Sequence, residues 1–119
     1  MALQKTFNLP NGATGNYIQV GPFTSDRVTK TASADFLLFA SAAWAAAHPE
    51  APLCVIARLA LSGAKWEERL AESVLAELED AGSNPVVHQF YEAAKAGEPL
   101  RAGGGLTQAE ATLTDATDV

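Results

Sequence analysis

The sequence predicts an α+β fold: a small antiparallel β-sheet, built from N-terminal hairpins and a long strand over 53–61, with one or two short C-terminal helices and an extended tail. Three observations carry this. Leu3, Lys5, Phe7 and Leu9 alternate with Gln4, Thr6 and Asn8, the period of two that marks a strand with one apolar edge. Leu53 to Leu61 is apolar except for Arg58, as in a strand covered on both faces. Asn84 and Pro85 suit the N-cap and first position of a helix that Gly97 stops. At 119 residues there is room for one domain. It is expected over 1–97, with 98–119 as a Gly-rich linker and C-terminal tail ordered by docking on partners.

Taken in order, the first strand ends at the turn chemistry of Pro10-Asn11-Gly12. Gly15 to Val20 is the next strand candidate, closed by Gly21-Pro22, and Asn11-Gly12 connects the two as a hairpin. Arg27 to Thr31 is β-branched and polar, which fits a third strand at an edge or facing solvent. The stretch 34–47 has two readings. Phe36, Phe39, Ala40, Ala43 and Ala47 follow helical spacing, with alanines that favour a helix. Asp35 to Ala40 is equally a buried strand, followed by a helical turn through Trp44, and His48-Pro49 ends either version.

Beyond the long strand, Trp66, Leu70, Val74 or Leu75, and Leu78 repeat at near-helical spacing among acidic residues, predicting one amphipathic helix over 66–80. Residues 80–83 are the loop into the last helix, whose apolar face is Val87, Phe90, Tyr91 and Ala94.

The hydrophobic fraction of 48% against 18% charged residues fits a folded chain, with no apolar run approaching the roughly 20 residues of a membrane span. The first residues lack a basic segment followed by an apolar stretch, so synthesis and folding in the cytoplasm are expected. The net charge of −6 disfavours phosphate neutralisation, hence direct nucleic-acid binding, and leaves a basic protein partner open.

No catalytic constellation stands out. Cys54 is the single cysteine and reads as a buried, inert thiol; with two histidines there is no zinc spacing. His88 and Glu92 are one helical turn apart, which suits a solvated pair better than a base and its orienter. Gly103-Gly104-Gly105 lacks the Lys-Ser/Thr ending of a phosphate loop and reads as a hinge. No cofactor or metal follows. Trp66 reads as core, whereas Trp44, among alanines beside a proline loop, suits an interface.

Read end to end, the chain resembles small virion proteins of tailed bacteriophages. The resemblance lies in the opening Leu3-Gln4-Lys5-Thr6-Phe7, the strand Asn16-Tyr17-Ile18-Gln19-Val20, the Asn84-Pro85 helix with Tyr91 and Lys95, and the ending Ala116-Thr117-Asp118-Val119. Two features depart from that pattern: the long insert 97–114, and the helical, acidic character of 65–80. The resemblance implies a long β-hairpin over 35–61, and so a strand at 35–40. It also implies a non-enzymatic structural subunit of the tail, baseplate or neck, made in the host cytoplasm and located in the virion. Its partners would be copies of itself, as a homo-oligomer, and neighbouring virion proteins. The expected contact residues are Phe7, Tyr17, Trp44, Tyr91, Leu106, Leu113 and Val119. The alternative is a small acidic regulator, DNA-mimic-like, that binds a basic host protein through the helix 67–80.

Overall fold

A computed structural model describes residues 2–77, 84–98, 100–107 and 110–118. The chain is α+β and mostly β. Among the described residues, six strands form one sheet in the order β5-β4-β3-β2-β1-β6, with every neighbouring pair antiparallel. The strands are β1 (Leu3–Asn8), β2 (Thr14–Asp26), β3 (Thr31–Phe39), β4 (Cys54–Ser62), β5 (Leu100–Ala102) and β6 (Thr117–Asp118). The helices are α1 (Ala42–Ala47), α2 (Ala64–Leu70), α3 (Glu72–Glu77) and α4 (Pro85–Lys95).

The second strand extends further than its sequence signal. β2 does not close at Gly21-Pro22 but continues to Asp26, with one extra residue accommodated as a bulge between Val20 and Phe23. A proline fits there because a bulge leaves a residue outside the ladder. The strand expected over 27–31 is instead the hairpin turn 27–30, and only Thr31 is strand, as the first residue of β3. Asp26 Oδ1 accepts from Val28 N at 2.8 Å and Thr29 N at 3.3 Å, and Lys30 adopts a left-handed φ of 53°. A short carboxylate that satisfies its own turn outcompetes the β-branched propensity of these residues.

The open question at 34–47 resolves as strand and then helix. β3 alternates buried Ala32, Ala34, Phe36 and Leu38 with less buried residues. Ser41 then caps α1, its hydroxyl accepting from Trp44 N. β3 pairs with β4 from Thr31↔Ser62 to Leu38↔Cys54, forming the long hairpin that the resemblance implied. Arg58, the exception in that run, is exposed as expected, but the expectation that the rest of β4 is covered on both faces is corrected: Ala60 is exposed and Val55 is 38% exposed. A bulge at Ile56 shifts the alternation, so Ile56 and Ala57 are both buried.

The single helix expected over 66–80 is two helices. Ala71 is extended (φ −61°, ψ 148°) and separates α2 from α3. Trp66 and Leu70 are buried as expected, whereas 78–83 lie outside the described residues. α4 follows its signals closely. Asn84 Oδ1 accepts from Val86 N at 3.0 Å, and Pro85 opens the first turn. Gly97, at φ 93°, ends the helix with bonds from Gly97 N to Ala94 O and Glu98 N to Ala93 O, the paired closure for which a left-handed residue is needed.

The segment 98–119 is corrected most. Rather than waiting for a partner, its described residues pack on their own chain and supply both edge strands. β5 pairs with β4, β6 pairs with β1, and Ala111, Leu113 and Ala116 are buried. Gly103 is no hinge: a Cβ there would lie 2.3 Å from Val55 O, so only bare backbone permits its N–H to reach Ile56 O at 3.0 Å. Lys5 Nζ donates to Thr112 O at 2.6 Å and pairs with Asp115, while Lys95 pairs with Asp118. These contacts fasten the C-terminus across β1 and α4.

One apolar cluster sits between the sheet and the α2 and α4 helices. It includes Leu3, Ile18, Phe36, Leu38, Leu59, Trp66, Leu70, Phe90, Tyr91 and Leu113. By strand alternation, Phe39 and its neighbours Leu37 and Asp35 point to the opposite face. Phe39 and Ala45 are buried outside the main cluster, which places α1 over one end of that second face.

Candidate functional site: an open sheet face

The register defines the open face strand by strand. Gln19 pairs with Leu37 and Leu37 with Val55, a row on that face whose apolar part is Leu37 and Val55. Leu37 lies against the bare backbone of Gly21 on the neighbouring strand. Val55 is 38% and Leu53 39% exposed, and Trp44 at the α1 end is 43% exposed. Trp44 is fixed in place: its Nε1 donates to Ala51 O at 3.0 Å, and its ring lies 4.2 Å from that of His48.

A second row on this face is charged. Asp35 pairs with Arg58 and Arg58 with Arg101 across β3, β4 and β5. Arg58 Nε donates to Asp35 Oδ1 at 2.6 Å and its Nη2 to Asp35 Oδ2 at 3.3 Å, a two-pronged contact that raises the guanidinium's pKa further. Arg101 is exposed and has no carboxylate partner among the described residues. Like charges directly opposite one another on a sheet disfavour each other, so Asp35 answers only half of this arginine pair. The row carries one net positive charge on an otherwise acidic protein.

The expected contact residues divide by burial. Phe7, Tyr91 and Leu113 are core residues, at most 4% exposed, and are not surface in the folded chain. Their aromatic or apolar character reads the same in sequence whether it serves a core or an interface. Tyr17 is half-buried on the open face, with Gln19 Nε2 donating to its hydroxyl at 3.3 Å. Leu106 is half-buried against the core, Trp44 is exposed, and Val119 lies outside the described residues. Sequence reasoning missed Leu37, Val55 and Arg101. Leu37 sat in a stretch read as helix or buried strand, Val55 in a run read as covered on both faces, and Arg101 in a segment read as a linker.

Elsewhere, a groove of about 1080 Å³ lies between the β2–β3 turn and α2, lined by Asp26, Val28, Trp66, Leu70 and Val86 among others. Trp66 Nε1 donates to Ser25 Oγ at 3.2 Å across its wall, and Lys30 pairs with Glu67 at its rim. Cys54 is half-buried and its pKa is raised by burial, which keeps it a thiol. Among the described residues no three His, Cys, Asp or Glu gather as metal ligands, and no helix is long and apolar enough to cross a membrane. Comparison with known protein families, curated proteins and solved structures finds no match to this chain.

Proposed function

We propose that this chain is a non-enzymatic structural subunit that assembles through repeated protein–protein contacts, in the tail, baseplate or neck of a tailed-bacteriophage particle. The observation that carries the assembly reading is the open sheet face. A covered core occupies one side of the sheet, while the other presents exposed Val55, Leu53 and Trp44 and half-buried Leu37 beside a charged row. Exposed apolar side chains gathered on one rigid face are what a docking partner covers. The C-terminal segment adds support, because tying both ends of the chain to the sheet makes that face rigid before any partner arrives. The placement in a phage particle rests on the sequence resemblance alone.

Quantitative mass spectrometry of washed particles from the cells that produce this protein tests the reading. The chain should be present at a fixed ratio to the other particle proteins through successive purification steps. Its loss on washing would remove the proposal.

A further inference from the structure

We propose that two copies of this chain pair edge to edge through β2, antiparallel about a two-fold axis that sets Thr24 against the second copy's Thr24; the inference rests on the assembly reading above. β1 leaves β2 at Ile18, so past that point, among the described residues, β2 has a strand neighbour on one side only. Pro22 to Asp26 are all exposed. The direction of the backbone groups follows from Val20, whose N–H bonds the Tyr91 hydroxyl and so faces away from β3. On β3, Phe36 pairs with Val20, Ala34 with Phe23 and Ala32 with Ser25. These β3 residues alternate, so the N–H and C=O of Phe23 and Ser25 also face outward, where no strand takes them. Edges are commonly blunted by charge, proline or a bulge. Here such features stand only at the ends of the segment, at Pro22 and at Asp26, and Phe23-Thr24-Ser25 carries none.

The segment is complementary to itself. With Thr24 on the axis, Phe23 faces the second copy's Ser25 and Ser25 its Phe23, so all the outward donors and acceptors of these residues are matched. An axis through Phe23 would set Ser25 against Gly21 in the bulge, and one through Ser25 would set Phe23 against Arg27 in the turn. The side chains fit the same register. Phe23 points to the helical face, its ring 5.9 Å from that of Phe90, yet it is 39% exposed. Ser25 points the same way and its hydroxyl accepts from Trp66 Nε1. Pairing lays each Phe23 ring beside the other copy's Ser25 and Trp66, at the end of the groove that those two residues line. On the opposite face Thr24 meets Thr24, a favourable cross-strand pair, and Asp26 meets Pro22, so no like charges oppose each other. A strand from another protein would have to bring an apolar side chain opposite Ser25 and no acid opposite Asp26; a second copy brings both. The contact is isologous and joins two six-stranded sheets into one. A five-residue ladder about 17 Å long is small beside a standard interface of roughly 800 Å² per partner, so pairing is weak and grows with concentration.

The register predicts a disulfide. Thr24 and the second copy's Thr24 form a non-hydrogen-bonded pair, with Cα atoms about 4.5 Å apart and within disulfide range. Thr24→Cys is made in the full-length chain with Cys54→Ala, the single native cysteine removed, and placed in a buffer of oxidised glutathione. It should form a disulfide-linked dimer at least tenfold faster than Val28→Cys, a site that is 86% exposed but that the pairing leaves far from its counterpart. Circular dichroism checks that both variants are folded. In the unaltered chain, hydrogen exchange at the Phe23 and Ser25 amides should slow at least tenfold from dilute to concentrated solution. Equal rates for the two cysteines, or exchange at Phe23 and Ser25 that does not depend on concentration, overturns the pairing. Particle analysis separates the two ideas. A chain retained in washed particles whose Thr24→Cys form links no faster than Val28→Cys keeps the assembly reading and loses this contact. A chain absent from particles loses the reading itself.

Discussion

The hydroxyl of Tyr91 accepts a hydrogen bond from the backbone N–H of Val20 at 2.7 Å. Val20 borders the β2 bulge, where the ladder to β3 shifts register and a backbone donor needs another partner. Tyr91 supplies it from α4, and its ring meets Phe36 edge-on with centroids 6.1 Å apart. A single side chain thus completes the sheet's irregular point and clamps the helix to the strands. Tyr91→Phe keeps the ring packing and orphans the Val20 donor. We expect a loss of about 1–3 kcal/mol, measured by urea unfolding.

The same residue sets an alkaline limit. Burial pushes the Tyr91 pKa up to about 12. An unfolded tyrosine ionises near about 10, so the folded state holds its proton where the unfolded state has lost it. The stabilisation linked to the neutral phenol is complete below about pH 10 and declines as pH rises to about 12. Over that window stability should fall by roughly 2 kcal/mol more in wild type than in Tyr91→Phe. Denaturant midpoints measured at intervals across this range check the difference.

The C-terminal segment is part of the fold. Leu113 is 1% exposed in the main cluster although its neighbours in sequence are threonines. Leu113→Ala should cost about 2–5 kcal/mol, as for other fully buried leucines. Deleting 106–119 should destabilise the domain and not merely its associations. Thermal unfolding of the two variants measures both effects.

Asn84 is exposed but caps α4 through Val86 N and Val87 N. Asn84→Ala should lower stability by about 1 kcal/mol, against only a few tenths for Asn84→Gly. Thermal melts of the pair distinguish a capping role from a packing role.

What could be read from the sequence followed the range of the forces involved. α4 was legible because its cap, its first proline and its terminating glycine act on neighbours a few residues away. β3 against β4 was legible from apolar content, although the choice of strand over helix at 34–47 leaned on resemblance. The continuation of β2 past Pro22 was hidden, since a bulge, which only the partner strand reveals, removes the cost of a missing donor. The separation of α2 from α3 at Ala71 carries no glycine or proline to announce it. The docking of the tail was least visible. Its ties run from Lys5 to Thr112 and Asp115, across most of the chain's length, and its anchors are isolated small or apolar residues among threonines. The open face was missed for a related reason. Whether Val55 is covered depends on strands and helices elsewhere, not on its own neighbours.

The central claim is that neighbouring subunits cover the open sheet face. Oxidative footprinting of Leu37, Leu53, Val55 and Trp44, in the free chain and in assembled particles, tests it most directly. Labelling of these side chains should fall severalfold on assembly, while exposed Val28 at the far hairpin turn serves as the internal reference. Equal labelling of the open-face residues in both states would contradict the account.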